Sequence, residues 1–231
     1  MRRATLLIWT LFALYPNPYM LYISAWRAWS PPVDAAAVRQ LADALPDDPR
    51  AIETAVNTRL VPYAVPWQTY GVPWYFPTAG EVFARGQGDC EGQAVVLASI
   101  LRSKGIPARF VGSFDHLWVD YPGKHANAYE NAEVAIASQQ PDGSYRLRWP
   151  SLVDWRRSWE IERGYFWDAM PIWRRWLLIG GWLLIGLSGH LWRRPARLAR
   201  LALDPALARM RLPQRQVPAR VEVPVDDTTP G

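Results

Sequence analysis

The residues of this chain best suited to covalent chemistry are its single cysteine and a histidine that follows it by 26 residues. Cys90 lies in the stretch GQGDCEGQ, directly after Asp89 and at the start of a helical pattern over residues 90–105. The first turn of a helix offers unpaired backbone N–H groups and the positive end of the helix dipole, which favour a thiolate. A lone cysteine is more commonly a small buried hydrophobe. The polar neighbours Asp89 and Glu91 nevertheless favour a nucleophile.

His116 is the histidine best placed to serve this thiol, because the strand predicted at 108–114 would return the chain to the start of the helix. A nucleophilic thiol needs a base within hydrogen-bond reach, and the base needs a third group that orients its ring. If a turn at 122–125 joins two paired strands, the residue opposite His116 is Asn131, and a shift of one residue in register brings Glu130 there instead. Either side chain can accept a hydrogen bond from imidazole, so the register leaves both open.

Apolar periodicity and turn sequences predict an α+β fold. Two helices are expected within residues 34–63, with a break at Pro46, followed by an irregular loop rich in aromatic residues and proline up to Asp89. Beyond the helix that begins at Cys90 come the short β-like runs PARFVGSF, HLWVDY, AYENAEVAIA (residues 128–137) and SYRLRW, with the turn sequences PGKHAN and QQPDG between them. These runs predict an antiparallel meander. We therefore expect a core in which the helix carrying Cys90 packs on an antiparallel sheet.

The stretch GQGDCEGQAVVLASILRSKGIPARFVG, followed by DHLWVDY, resembles the core of the transglutaminase-like superfamily over about residues 60–137. Members carry G-x-C before a long helix, an LR-x-x-G-I-P-A-R segment and then H-x-W-V-E/D, and YGVPWYFPTAGEV is similar to their aromatic lead-in to the cysteine. The resemblance implies a papain-like arrangement with Cys90 as nucleophile and His116 as base. The family usually has Asp as the third member, in a V-D-P context, whereas this chain reads Y-E-N-A. Asn131 best matches the family position, with Glu130 as the alternative.

The resemblance also implies an activity. We expect a thiol enzyme that cleaves or transfers amide or peptide acyl groups through a thioester on Cys90, with hydrolysis favoured over transfer. The oxyanion would be stabilised by the backbone N–H of Cys90, with Trp74 as a further candidate. The expected substrate is a protein or peptide, and no cofactor is expected. The alternative is a non-catalytic, membrane-tethered binding or scaffold protein with a transglutaminase-like domain.

Composition argues against other classes of site. Zinc sites usually need three or four ligands, and no suitable Cys/His spacing accompanies Cys90, so no metal is expected. The stretch GQGDCEG lacks the Lys-Ser/Thr ending of a phosphate-binding loop. The net charge of +5 comes mainly from arginines at the two ends of the chain. This pattern indicates membrane flanks and not nucleic acid binding.

Two apolar runs flank the predicted domain. Residues 4–26 carry no charge, and a bilayer takes about 20 residues to cross. The PNP at 16–18 would kink or end such a helix, so a cleaved signal peptide is the alternative. Residues 176–192 are also uncharged and have tryptophans at both edges. The flanking arginines fall in two groups, Arg2, Arg3, Arg193, Arg194, Arg197 and Arg200 on one side and Arg27, Arg174 and Arg175 on the other.

The larger arginine group predicts cytoplasmic termini, with the catalytic domain on the extracytoplasmic side. With the resemblance, this suggests a membrane-anchored member of bacterial type, in the inner or cell membrane. The expected divisions are a transmembrane helix or signal anchor at 1–27, the transglutaminase-like domain at 28–170, a second transmembrane helix at 173–193 and a basic, flexible tail at 194–231.

Overall fold

The structure is a computed structural model that describes residues 2–151 and 153–191. The chain divides into two compact units, residues 1–183 and 184–231, and the fold described below lies in the first. The predicted basic tail at 194–231 lies outside the described residues. The helices are α1 (Arg2–Leu14), α2 (Pro18–Trp29), α3 (Arg39–Asp43), α4 (Pro49–Ala55), α5 (Pro66–Thr69), α6 (Ala79–Arg85), α7 (Cys90–Ser103), α8 (Trp155–Glu162) and α9 (Ile172–Leu191). The strands are β1 (Arg109–Gly112), β2 (Leu117–Asp120), β3 (Ala137–Gln139) and β4 (Tyr145–Leu147), and π-helical turns follow α4 and α8.

The helix α7 forms the centre of the core. Asp89 caps its N-terminus by accepting a hydrogen bond from the Gly92 N–H at 3.0 Å. The middle of the helix, from Ala94 to Leu101, is buried throughout, because it packs against α3, α4 and α6 as well as β1 and β2. A helix that is apolar on all sides is typical of a core element. The predicted α+β fold, with the helix carrying Cys90 packed on an antiparallel sheet, is confirmed.

The order of the sheet differs from the predicted meander. All pairs are antiparallel, but the strands lie in the order β2-β1-β3-β4, so β3 pairs with β1 and not with β2. The predicted strand at 128–137 is wrong over most of its length, because β3 begins only at Ala137. The preceding loop is held by its own side chains. Asn127 Oδ1 accepts from the N–H groups of Tyr129 and Glu130, which gives the backbone a local alternative to strand pairing.

The aromatic segment before Asp89, predicted to be irregular, contains the short helices α5 and α6. The second of these has a capping box, in which Thr78 Oγ1 accepts from the Glu81 N–H at 3.2 Å and Glu81 accepts from the Thr78 N–H at 2.7 Å. The spacing T-x-x-E is the sequence signal for this feature. The prediction of an irregular loop was therefore wrong over residues 79–85. These residues form α6, which packs against α7.

The N-terminal apolar run folds as two helices, separated at the predicted PNP break. Asn17 caps α2 through a hydrogen bond from the Tyr19 N–H to its side chain at 3.1 Å. Among the described helices, none is long and apolar enough by itself to cross a bilayer, and only α1 and α2 taken together meet these criteria, with a bend of 83° between them.

The corner between α1 and α2 packs on the aromatic segment that leads to the cysteine. The Tyr15 hydroxyl donates to the carbonyl of Trp74 at 3.1 Å. Arg27 binds Glu81 at 2.8 Å and also donates to the hydroxyl of Tyr75. Arg174, at the start of α9, donates to the last carbonyls of α1. These contacts place apolar side chains of the N-terminal helices next to the domain core.

Candidate active site

The thiol lies at the point where the aromatic segment meets α7. Cys90 is half-buried and is the first residue of the helix, so its backbone N–H has no intrahelical acceptor. The preceding Gly88 exchanges backbone hydrogen bonds with Pro62 and Ala64. A Cβ on Gly88 would lie 3.2 Å from Val61 Cγ1, so glycine allows these two segments to approach closely. These backbone contacts lie two residues before Cys90 and the start of α7.

The side chain of Glu91 folds back over the thiol. Cys90 Sγ donates to Glu91 Oε2 at 3.0 Å, and the indole N–H of Trp74 donates to Glu91 Oε1, also at 3.0 Å. The Trp74 N–H was a candidate for stabilising an oxyanion, but the structure directs this donor to Glu91. The same carboxylate thus holds both the nucleophile and the aromatic side chain beside it.

The thiol is held in its protonated form. Burial raises the pKa of Cys90 well above its usual range, and the negative charges of Glu91 and Asp89 raise it further. The backbone N–H of Leu117 favours the thiolate but is outweighed. The expectation of a lowered pKa at a helix N-terminus is therefore wrong for this state. The physical reason is that burial, together with the negative charges of the two neighbouring carboxylates, opposes the thiolate more strongly than the helix terminus favours it.

Two residues without a functional signal in the sequence, Glu162 and Tyr165, line the same cavity as the thiol. Tyr165 donates from its hydroxyl to Asp89 Oδ2 at 2.7 Å, and it lies in the π-helical turn after α8. Glu162, at the end of α8, has a pKa raised by partial burial and by the charges of Asp115 and Glu91. Asp154 followed by periodic tryptophans is the sequence signal for α8, but no pattern connects it with Cys90.

His116 lies directly before β2, and its ring is oriented by a carboxylate. Its Nε2 is 2.9 Å from Glu130 Oε1. Glu130 Oε2 in turn lies 2.9 Å from Lys124 Nζ and accepts from the side-chain amide of Asn127 at 3.2 Å. Burial by itself would raise the pKa of the Glu130 carboxyl, but the hydrogen bonds from His116 and Lys124 and their charges lower it to about 2. Because Nε2 is engaged, Nδ1 is the ring nitrogen available to a thiol.

Asn131, the first choice for the orienting residue, forms its hydrogen bonds with the loop backbone and not with the imidazole. Its Oδ1 accepts from the N–H groups of Glu133 and Val134, and its Nδ2 donates to the Asn127 carbonyl at 2.8 Å. The alternative residue, Glu130, occupies the place beside His116. Asn131 was preferred because it best matches the family position, and the register that placed it opposite His116 assumed a paired strand. A loop replaces this strand and turns Glu130 toward the ring.

One cavity of about 580 Å³ brings the two reactive side chains together. Cys90 and His116 both line it, together with Glu91, Glu162 and Tyr165. Within residues 2–151 and 153–191, the lining includes no lysine and no arginine. The same described part of the chain contains no group of three or more His, Cys, Asp or Glu side chains arranged to hold a metal ion. The cavity therefore presents a thiol, an imidazole and several carboxylates to a bound molecule.

Comparison with known proteins gives a match to a family model. Residues 35–146 match the family model for the core of the transglutaminase-like superfamily, and this range includes the thiol, the imidazole and the carboxylate beside it. No curated protein and no solved structure gives a significant match. The chain therefore carries a transglutaminase-like superfamily domain at residues 35–146.

Proposed function

We propose that this domain is a thiol enzyme that acts on amide or peptide bonds through an acyl group carried by Cys90. The observation that carries the proposal is the shared cavity. Cys90 and His116 line the same space, and Glu130 holds His116 by Nε2 at 2.9 Å so that Nδ1 is available for the thiol proton. A nucleophile, a base and an orienting group are the parts that covalent acyl transfer needs.

The first half of the reaction forms a thioester. Because the resting thiol is protonated, Cys90 transfers its proton to Nδ1 of His116 as Sγ attacks the carbonyl carbon. The oxygen that becomes negative lies near the start of α7, where the backbone N–H of Cys90 can donate to it. When the C–N bond breaks, His116 returns the proton to the departing amine, and the acyl group stays on sulfur.

The second half of the reaction restores the thiol. Water attacks the thioester carbonyl and gives its proton to His116, the C–S bond breaks, and the proton passes to the sulfur. Hydrolysis needs only water as the second reactant, so we favour it over transfer to an amine. A protein or peptide supplies the amide, and the residues described here carry out these steps without a cofactor.

A binding role is the competing proposal, and one observation favours it. Glu91 accepts hydrogen bonds from both the thiol and the Trp74 indole, so two groups that catalysis would use are already engaged. In this alternative the domain is a membrane-tethered scaffold that holds a peptide in the cavity, and the thiol has no chemical role. The two proposals differ in whether binding survives and turnover stops when Cys90 is replaced.

The membrane location is a further part of this proposal. Large apolar side chains on α1 and α2 are exposed, namely Leu7, Ile8, Phe12, Tyr22, Trp26 and Trp29. Such patches are typical of surfaces that contact lipid or protein. We propose that the N-terminal helices anchor the chain with the domain on the extracytoplasmic side. Extraction of membranes with alkaline carbonate should leave the full chain in the pellet, and release into the supernatant would contradict the anchor.

The activity is tested with p-nitrophenyl acetate and the full chain. We expect the wild type to release more than one equivalent of nitrophenolate and to show an acetyl group on Cys90 by mass spectrometry. Cys90→Ala should lose turnover completely and keep its far-UV circular dichroism spectrum. His116→Ala should lower kcat/KM by roughly 10²-fold or more, the usual contribution of a general base. Acetylation at an equal rate in wild type and His116→Ala would contradict catalysis and favour the binding role.

A further inference from the structure

We infer that the acyl group accepted by Cys90 carries an aliphatic chain, and that this chain lies along the apolar wall of the cavity. The inference rests on the proposed function and specifies its substrate class. It is carried by the composition of the cavity, since the reactive groups occupy part of the lining and the rest is largely hydrocarbon and aromatic.

Three separate parts of the fold supply this apolar wall. The end of α1 contributes Leu14, the domain core contributes Phe76 and Phe110, and the segment around the end of α8 contributes Ile161 and Phe166. Phe76 and Phe110 are buried, and their rings lie 6.5 Å apart. A wall assembled from distant parts of the chain is a preformed apolar surface, which favours an apolar ligand.

The wall reaches the N-terminal helices through a fixed contact. Leu14 and Tyr15 both line the cavity, and the Tyr15 hydroxyl donates to the Trp74 carbonyl at 3.1 Å. Leu11 lies three residues before Leu14, so the two side chains occupy neighbouring positions on one helix face. Leu11 is 42% exposed. The apolar surface of the cavity thus continues onto an exposed apolar helix, along which a hydrocarbon chain could enter.

Charge also restricts what fits beside the thiol. Glu91, Asp115 and Glu162 line the cavity, and the described lining has no lysine or arginine to balance them. An acyl group with its own carboxylate or phosphate would be repelled. A neutral chain leaves the carboxylates solvated and removes only apolar surface from water, which contributes about 0.8 kcal/mol per buried CH₂ group and corresponds to roughly fourfold in affinity.

Simple amides test the inference without requiring turnover. Cys90 is the only cysteine, so iodoacetamide labelling of the full chain, followed by mass spectrometry, reports on this cavity alone. Acetamide, butanamide, hexanamide and octanamide are added at equal concentrations below their solubility limits. We expect protection of Cys90 to strengthen by roughly tenfold or more for every two added carbons, as a fourfold gain per CH₂ group implies. Equal protection by acetamide and octanamide, or stronger protection by 6-aminohexanamide than by hexanamide, would overturn the inference.

Ile161 provides a matched pair of variants. It lines the cavity, is 36% exposed and belongs to a helix that buries no residue, so substitutions there should leave the fold intact. Ile161→Gln should weaken protection by octanamide several-fold and leave acetamide unchanged, whereas Ile161→Leu should behave as the wild type. Equal octanamide protection in both variants would contradict the inference.

The two proposals fail in different ways. If p-nitrophenyl acetate gives no acyl group on Cys90 while octanamide still protects, the proposed function is overturned and the apolar site stands. If the acyl group forms but protection does not depend on chain length, the inference is overturned and the proposed function stands.

Discussion

Cys90 and His116 face one cavity, but their electrostatic surroundings are opposite. On the histidine side, the Glu130 carboxylate is matched by Lys124, whose side chain is only 5% exposed and which also pairs with Glu53. On the cysteine side, Asp89 and Glu91 have no cationic partner among the described contacts. Burial and the charge of Glu91 raise the pKa of Asp89 well above its usual range.

This difference shows that position in a helix does not by itself decide the state of a thiol. The helix terminus supplies partial positive charge, but burial of the sulfur and, in addition, a full negative charge in contact with it raise the pKa of Cys90 more than the terminus lowers it. A carboxylate becomes a strong hydrogen-bond partner when a buried cation balances it, as at Glu130. Without that cation, a carboxylate keeps neighbouring acids protonated. Under the proposed function, the histidine side is therefore prepared for catalysis at rest, and the cysteine side requires proton transfer during attack.

Among variants of these two sides, we expect the largest effect on kcat from replacing Glu130, the residue that orients His116. Glu130→Ala removes the acceptor of Nε2 and leaves Lys124 without one partner, so we expect kcat with p-nitrophenyl acetate to fall by roughly 10²-fold while KM changes little. Asn131→Ala is the matched control, since the hydrogen bonds of Asn131 go to loop backbone, and its kcat should stay within about threefold of wild type. Equal losses in both variants would indicate disruption of the loop and would contradict an orienting role for Glu130.

The Glu130 carboxylate, which pairs with Lys124 and His116, should also stabilise the folded protein at pH values above about 4.5. The pKa of Glu130 is about 2 in the folded protein against 4.5 for a free side chain, so its contribution is complete above about pH 4.5 and is lost as the pH falls toward 2. A difference of this size corresponds to about 3 kcal/mol. Urea unfolding of wild type and Glu130→Gln at several pH values measures it. The free energy of unfolding should fall more steeply between pH 4.5 and 2 in the wild type, and parallel curves would contradict the ion pair.

The smallest effect should come from removing the negative charge of Glu91 beside the thiol, and it should appear in the reaction rate of Cys90. Glu91→Gln removes the negative charge that contacts Sγ, so the pKa of Cys90 should fall and the thiol should react faster at neutral pH. We expect iodoacetamide labelling at pH 7 to accelerate by about fivefold or more, the factor that corresponds to 1 kcal/mol of charge repulsion. Glu162→Gln, in the same cavity but without a hydrogen bond to the thiol, is the control and should change the rate less. An unchanged rate in Glu91→Gln would show that burial alone protonates the thiol.

Local patterns in the sequence were sufficient for the elements that carry the reactive groups. Asp89 before an apolar helical stretch predicts the start of α7, and the spacing of Cys90 and His116 indicates the family. The PNP motif predicts the break between α1 and α2. These features depend on residues close together in the chain, such as caps and proline, and their physical effects hold in any surroundings.

Only the tertiary structure decided which groups touch. Glu130, and not Asn131, orients His116 because a loop fixed by Asn127 replaces the expected strand, and register arguments apply only to paired strands. Tyr165 reaches Asp89 from 76 residues away, and no local pattern encodes such a contact. The protonated state of Cys90 depends on its burial and on the direction of the Glu91 side chain. Sequence shows which charges are adjacent along the chain, but their distances and solvent exposure, which set the pKa, arise only when the chain packs.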